Sequence, residues 1–311
     1  MYIRKGVKVI VNPTQDYFDD YQEWISETER WNYRRGEYKM WKATYDNFWL
    51  YMAIDEETND VISTCSLAEF HSVHNDEPMY TIGNYYCVPD WRGKGVSNKL
   101  FNMAIAQAGT HNIGLFGASQ MVSLYASRFN FNIMNDFWHN FGEVDIQHLH
   151  IPPQSDAFKI RKIEENDWQK LHEYDEQICS VERRRYIRAS LGDVQTISRM
   201  CQNAAGRIVG FGAIKKVVDD EIYLSPLYAD SFEAAVSIVS ALLKALPDLQ
   251  KYSSLITIYP EINNNIPRLM NLISNRRFKF HSDYRNQYTQ KMIQFPMERV
   301  WACEELSHSH V

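Results

Sequence analysis

The chain has 311 residues, 45% of them hydrophobic and 23% charged, with a formal net charge of −6. That is too apolar for disorder and long enough for two modest cores at roughly 100–200 residues per domain. An acidic chain lacks the dominant basic face of a phosphate-backbone binder, so no nucleic-acid partner is expected. Five widely spaced cysteines (Cys65, Cys87, Cys179, Cys201, Cys303) form no CxxC pair and fit a reducing compartment. The first residues lack the apolar stretch of a secretion signal, and no run approaches the about 18 apolar residues of a membrane span. The expectation is a cytoplasmic protein with no membrane partner.

In chain order, residues 6–12 read as a strand, and Thr14 is positioned to cap a helix over 14–28 whose apolar side is Tyr17, Tyr21, Trp24 and Ile25. Residues 47–54 and 61–70 alternate as the strands of a hairpin around the polar turn 55–60. A strand at 80–88, a glycine loop at 92–95 and a helix stopped by Gly109 follow. A strand at 112–117, a helix around 120–128 and strand material at 137–146 end the first half. Ile151-Pro-Pro-Gln-Ser-Asp-Ala157 is the boundary, because two prolines remove amide donors and hold the backbone extended.

The order then repeats. Residues 158–163 read as a strand, 164–171 as a helix, and 195–201 with 207–215 as a second hairpin. A short strand at 221–225 leads into a helix with Phe232, Ala235, Val236, Val239, Leu242, Leu243 and Leu246 on one face, ended by Pro247. A strand at 254–259, a helix at 267–274 and strands at 278–281 and 288–293 complete the pattern; the charged tail from 296 reads as frayed or packed as an accessory. The fold class is therefore α+β (mixed α/β) in two tandem copies: domains at 1–150 and 158–295, a linker at 151–157 and a tail at 296–311.

The stretch Tyr85-Tyr-Cys-Val-Pro-Asp-Trp-Arg-Gly-Lys-Gly-Val-Ser-Asn-Lys-Leu-Phe101 carries the chemistry. A strand runs through two glycines into a helix whose inner face is Val96, Leu100, Met103, Ala104 and Ala108. A helix start exposes unpaired N–H groups and partial positive charge, Gly93 and Gly95 let the backbone approach a ligand without Cβ collisions, and Arg92 and Lys94 add positive charge. A diphosphate is the natural occupant. Neither GxxxxGK[ST] nor GxGxxG is satisfied.

Pro89-Asp-Trp-Arg-Gly-Lys-Gly-Val-Ser97 resembles the acetyl-CoA loop of the GCN-five-related N-acetyltransferases (GNAT), with Ser97 where that family usually has Gly or Ala. The resemblance implies that each domain is a twisted, mixed, mostly antiparallel sheet flanked by helices. It implies that backbone amides near Cys87 and Val88 hold pantetheine and the acyl carbonyl. The amides of Gly93, Lys94, Gly95, Val96 and Ser97 would hold the pyrophosphate beside Arg92. Transfer would be direct attack of an amine on the thioester, with acetyl-CoA or another acyl-CoA as co-substrate and no metal.

The family often uses a tyrosine in an L-Y-x-x-x-G-F setting as general acid. Leu124-Tyr-Ala-Ser-Arg-Phe-Asn-Phe131 resembles it, with Asn130 in place of glycine, which makes Tyr125 the catalytic candidate against a packed core tyrosine. For the base, Glu69, His71 and His74 beside the third strand and Glu23 or Glu29 in the first helix stay open, together with a water relay. Cys87 has no adjoining basic partner and reads as a backbone position, not a nucleophile.

His308-Ser-His310 offers too few ligands for a metal site, and Glu182-Arg-Arg-Arg-Tyr186 reads as a helix surface with Tyr186 and Ile187 inward. Residues 158–293 resemble the YitH/HolE type of acetyltransferase domain through Val181-Glu-Arg-Arg-Arg-Tyr-Ile-Arg188, Arg207-Ile-Val-Gly-Phe-Gly-Ala213 and Leu224-Ser-Pro-Leu-Tyr-Ala-Asp230. Its equivalent loop has no glycine and no basic residue, and Asp230 with Glu233 has capping-box spacing. The first domain is therefore expected to hold acyl-CoA and the second to shape the acceptor pocket or stabilise the pair. The expected activity is N-acetyl transfer to a small-molecule amine; the alternatives are a glycine or amino-acid N-acyltransferase, a protein lysine acetyltransferase, and a non-catalytic CoA-binding sensor or scaffold. The sequence leaves the oligomeric state open.

Overall fold

The computed structural model describes residues 2–31 and 33–309. The first half forms β1 (Tyr2–Arg4), β2 (Val7–Val11), α1 (Gln15–Glu29), α2 (Glu37–Thr44), β3 (Asn47–Asp55), β4 (Val61–His71), β5 (Pro78–Cys87), α3 (Val96–Ala108), β6 (Asn112–Ala118), α4 (Val122–Phe129), β7 (Ile133–Met134) and β8 (His139–Asp145). The second forms β9 (Lys159–Arg161), α5 (Trp168–Asp175), α6 (Arg184–Gly192), β10 (Thr196–Gln202), β11 (Ile208–Lys216), β12 (Ile222–Ala229), α7 (Phe232–Ala245), β13 (Ser254–Pro260), α8 (Ile266–Ser274), β14 (Lys279–Tyr288) and β15 (Val300–Ala302).

All the strands join one mixed sheet in the order β1-β2-β3-β4-β5-β6-β14-β8-β13-β12-β11-β10-β9, with β7 on β14 and β15 on β12. At its centre the halves trade β8 and β14. β14 of the second half pairs antiparallel with β6 of the first, and β8 of the first pairs antiparallel with β13 of the second. β8 and β14 then pair with each other, from Lys279 opposite Glu143 to Tyr284 opposite His139. The pattern on either side is the same: β5 runs parallel to β6, and β12 parallel to β13.

The helices follow the apolar stripes. α3 and α4 cover the first half and α7 and α8 the second, each pair over its own core. The opposite face is different, because α1, α2, α5 and α6 share a single core that runs from Phe18 and Trp41 to Tyr186, Phe211 and Ile256. α2 lies outside the sequence expectations. Beside it, Arg34 is 1% exposed. Its guanidinium donates to Glu37 at 2.6 and 2.8 Å, to the Ser190 carbonyl at 3.0 Å and to Thr196 at 3.1 Å, tying α2 to α6 and β10. The Arg34 charge holds the Glu37 carboxyl below the ordinary range against the opposing effect of burial.

Four expectations change. Residues 288–293 form no second terminal strand: β14 is one strand ending at Tyr288. The Thr14 side chain makes no capping bond at α1. The start of α7 is capped by Ser231, whose hydroxyl accepts from the Ala234 amide, while Asp230 accepts from Arg299 at 2.8 Å and from the Tyr174 hydroxyl at 2.9 Å. The tail is not frayed over 296–309: Trp301, Cys303, Glu304 and His308 are each 1% exposed or less. Tyr186 and Ile187 point inward from α6, as its residue pattern requires.

Because β6 loses one neighbour and β8 both of its neighbours without the other half, residues 1–157 and 158–311 expressed separately are expected to be insoluble or molten. Co-expressed, they should assemble one to one. Size-exclusion chromatography and near-ultraviolet circular dichroism decide this, and a monomeric, cooperatively folded 1–157 fragment would contradict it.

Candidate functional site

β5 pairs with β4 along its length but meets β6 only at Met79, Tyr80 and Thr81. From there the two parallel strands diverge, β5 running to Cys87 and β6 to Ala118, and a wedge opens between them. A bulge bends β5 at the start of the wedge: between the pairs Ser66–Gly83 and Thr64–Tyr86, β5 carries one residue more than β4. Asn84 sits there at φ +47. The left-handed conformation costs a non-glycine residue about 1–2 kcal/mol. Three hydrogen bonds, at about 1 kcal/mol each, outweigh it. Tyr33 donates its hydroxyl to Asn84 Oδ1 at 2.7 Å, Asn84 Nδ2 donates to Ser66 at 2.9 Å, and Thr64 donates to the Asn84 carbonyl at 2.6 Å.

The glycine loop closes the wide end of the wedge. Gly93 has φ +76 and Gly95 φ +81, and a Cβ at either would stand in open space. The glycines thus serve the turn, and they leave clear the surface over the first amides of α3. No side chain caps α3, whose N-cap is Gly95 itself. Arg92 donates from Nε to the Cys87 carbonyl at 3.0 Å and from Nη2 towards Glu29 at 3.4 Å. Lys94 lies over the Trp91 ring at 4.7 Å. Val96 is buried in the core beneath α3, and the Ser97 hydroxyl turns inward to Tyr85 and Cys87, away from the loop surface. Burial pushes the Cys87 thiol up, which keeps it neutral. Val88, half-buried, is bonded through its amide to the Ile62 carbonyl at 3.0 Å. That amide is therefore already used in this structure.

Tyr125 lies on the α3 side of the sheet, 7% exposed, its ring stacked 5.7 Å from Phe101 and 6.1 Å from Tyr85. Burial holds its phenol well above the ordinary range, so it carries its proton at any working pH. Asn130 takes the left-handed conformation at the end of α4, so asparagine does the work of the expected glycine. α4 also depends on the exchanged strand: Gln287 of β14 donates to the carbonyls of Val122 at 3.2 Å and Phe131 at 2.8 Å.

The candidate bases separate. Glu69, His71 and His74 lie towards the opposite end of β4 and β5, roughly 25 Å from the loop at about 3.3 Å per residue. There His71, His74 and Asp76 line a surface hollow of about 610 Å³. Despite the opposing effect of partial burial, the His71 imidazole is raised by the Asp76 carbonyl and by Asp46, Asp76 and Glu69. Glu23 is exposed. Glu29 is the carboxylate at the wedge, next to Tyr86, whose phenol is raised by burial and by the hydrogen bond to Glu29. Trp24 and Trp31 pack edge-on to the Tyr86 ring at 5.1 and 5.9 Å.

The second half builds the same wedge and fills it. β12 and β13 pair only through Ile222, Tyr223 and Leu224. Into the divergence comes β15, with Ala302 opposite Leu227 and Val300 opposite Tyr228. The Cys303 amide reaches across to the Ile258 carbonyl at 2.7 Å, and Trp301 Nε1 donates to the Ala229 carbonyl at 3.0 Å. Beyond β15, buried Glu304 pairs with buried Lys215 and accepts from Ser190 at 2.9 Å. The tail then crosses to the first half. A Cβ on Gly83 would meet the Ser307 carbonyl oxygen, with the Ser307 carbonyl carbon and Cα at 2.7 and 2.9 Å. His308 bonds Ser66 at 2.9 Å and Thr81 at 3.0 Å. His310, paired with His308 in the sequence, lies outside the described residues. Among the described residues no cluster of metal-ligating side chains occurs, and no helix is long and apolar enough to cross a membrane. Nothing local in the sequence marks the tail's place, because its partners Lys215, Ser66 and Thr81 are far away in the chain.

Similar folds define the class. Over 99% of this chain and 98% of the other, the structure matches a protein from Pyrococcus horikoshii provisionally assigned as an acetyltransferase, at TM-score 0.70 and 14% identity. It matches a tandem GNAT protein from the clavulanic acid biosynthesis pathway over 91% and 98% at 0.63 and 11% identity. It also matches Saccharomyces cerevisiae N-myristoyltransferase with bound myristoyl-CoA over 98% and 85% at 0.64 and 9% identity. The fold is that of the GNAT acetyltransferases in tandem, and a model described as an acetyltransferase (GNAT) domain matches residues 171–298. The model described as "Protein of unknown function (DUF1248)" matches residues 4–161, just over half of the chain, and the chain belongs to that family. The named acetyltransferase match thus falls on the second half, not on the half whose loop carries the resemblance. No curated protein matches the chain.

Burial raises the carboxyl of Glu305 to about 7, against the amides of His308 and Ser307, which donate to it; Glu37 adds to the rise and Lys215 opposes it. The folded state keeps this proton while the unfolded chain loses it near pH 4.3, so stability falls as pH rises from about 4 to 7 and levels off above that window. Glu305→Gln is expected to gain on the parent chain in melting temperature between pH 5 and pH 8. Equal differences at the two pH values would refute the assignment.

Proposed function

We propose that this protein is an acyl-CoA-dependent N-acyltransferase whose first half binds the coenzyme and which transfers acetyl from acetyl-CoA to the amine of a small molecule. The observation that carries the reading is the uncapped start of α3, reached through Gly93 and Gly95 in left-handed conformations at the mouth of the β5–β6 wedge. The pyrophosphate occupies the amides between Gly93 and Ser97 other than that of Lys94, which donates to the Trp91 carbonyl at 3.3 Å, with the Arg92 and Lys94 side chains beside it. Pantetheine lies along the wedge at Cys87 and Val88, and backbone N–H groups there other than that of Val88 polarise the thioester carbonyl. In the second half the same wedge holds β15, and α7 is capped by Ser231 with carboxylates alongside, so that half serves the pair and not the coenzyme. With this reading go the YitH/HolE type for the second half and a linker at 151–157. Myristoyl-CoA bound by a protein of similar fold is consistent with a thioester in such a wedge.

The acceptor approaches from the α1 face, where Trp24, Trp31 and Tyr86 present aromatic surface to a cation and Glu29 takes its proton. Arg92 leans on Glu29 without coenzyme; a diphosphate drawing Arg92 away leaves Glu29 free as the base. The attacking nitrogen forms the C–N bond, the tetrahedral intermediate collapses with loss of the C–S bond, and Tyr125 protonates the departing thiolate.

Calorimetry with acetyl-CoA and CoA, followed by thiol release over a panel of amines, tests the reading. Gly95→Asp is expected to weaken acetyl-CoA binding at least about 30-fold by placing a carboxylate at the cradle, at about 1 kcal/mol or less in stability. Glu29→Gln should lower kcat/KM about 100-fold with acetyl-CoA affinity kept. Tyr125→Phe should lower kcat with coenzyme affinity kept. Tight coenzyme binding without turnover of any amine would turn the reading to a sensor, and absence of binding would end it.

A further inference from the structure

We propose that the C-terminal segment 304–309 is a positioning element of the first half's site: Ser307 and His308 hold the Asn84 bulge, and so set the course of β5 through the acyl-binding stretch. This rests on the acyltransferase reading above.

Tyr33 gives its only hydroxyl proton to Asn84 Oδ1, so the 3.0 Å bond to Ser307 is one in which the Ser307 hydroxyl donates to Tyr33. Asn84 Nδ2 donates to Ser66, and Ser66 bonds His308 Nε2 at 2.9 Å. The other ring nitrogen of His308, Nδ1, bonds Thr81 at 3.0 Å. Both ends of the Asn84 side chain are thus oriented by groups whose second partner lies in the tail. Two turns of chemistry converge on one left-handed residue.

The tail itself has a built seat. Gly83 has no room for a side chain under the Ser307 backbone. The imidazole of His308 stands among Trp41, Tyr45 and Phe48, at 5.4, 5.8 and 5.2 Å between ring centres. Glu305 accepts the amides of His308 and Ser309 at 2.6 and 2.7 Å, which curls the segment back on itself. Upstream, Glu304 is anchored to Lys215 in the second half, so the segment is a fixed wall and not a lid. A group of the second half thereby acts on the first half's backbone amides without touching substrate.

The full-length chain is compared with His308→Ala and His308→Gln. The alanine variant is expected to lose at least about tenfold in kcat while the acetyl-CoA dissociation constant stays within about threefold, since a misaligned carbonyl site affects the transition state more than binding. Hydrogen exchange of the amides of residues 83–87 should rise at least about tenfold. His308→Gln, whose side-chain amide can bond Ser66, should restore both. If His308→Ala does not fold, Ser307→Ala, which removes one hydroxyl, carries the same test. Unchanged exchange at 83–87 overturns the proposal, as does raised exchange with unchanged kcat. If the parent chain binds coenzyme but turns over no amine, the transfer reading fails, while the exchange result still decides the positioning role.

Discussion

The exchange of β8 and β14 is the constraint on which the molecule depends. A strand at the centre of a sheet has both backbone edges satisfied, and here the partner that satisfies each half comes from the other. Without β14, β6 would present an open edge beside the wedge, and without β8, β13 would do the same. The shared core under α1, α2, α5 and α6 follows from this arrangement, because a continuous sheet gives those helices one surface to cover. So does the buried pairing of Glu304 with Lys215, which sits where the tail leaves one half for the other. Removing either partner would strand a charge at a cost of about 3–5 kcal/mol.

One architecture, used twice in a chain, is thus specialised by small chemical differences. Both halves open a wedge after three paired residues on the parallel strands. In the first, two glycines and an uncapped helix start leave backbone donors available; in the second, a serine satisfies them and a strand of the same chain fills the gap. The first half is nonetheless not self-sufficient. Gln287 fixes the ends of α4, and residues 307 and 308 touch the bulge network.

Much of this was legible in the sequence wherever the signal is local. α7 announces itself by an apolar stripe between a polar start and Pro247, and α3 by the glycine that ends it. The glycine loop was readable because only a few backbone conformations suit two glycines so spaced. α2 was not, since its eight residues owe their place to an Arg34–Glu37 pair whose other partners are Ser190 and Thr196. The tail stayed open between frayed and packed for a related reason: Glu304, Glu305 and His308 look solvated until Lys215, Ser66 and Thr81, far away in sequence, are brought to them. Strand exchange leaves no local trace, because the alternation of a strand is the same whichever half it joins. Among the candidate bases, spacing alone gave no means of separating Glu29 from His71; the direction in which β4 and β5 run did so.

The exchange also sets an order on biosynthesis. β6 and β8 leave the ribosome long before the strand that belongs between them, and at ordinary elongation rates residues 279–288 follow only after roughly ten seconds. Throughout that interval the nascent first half carries an unsealed seam, and the long-range pairings that close it make this a topology of high contact order. A nascent chain of this kind is a natural client for holding chaperones until β14 emerges.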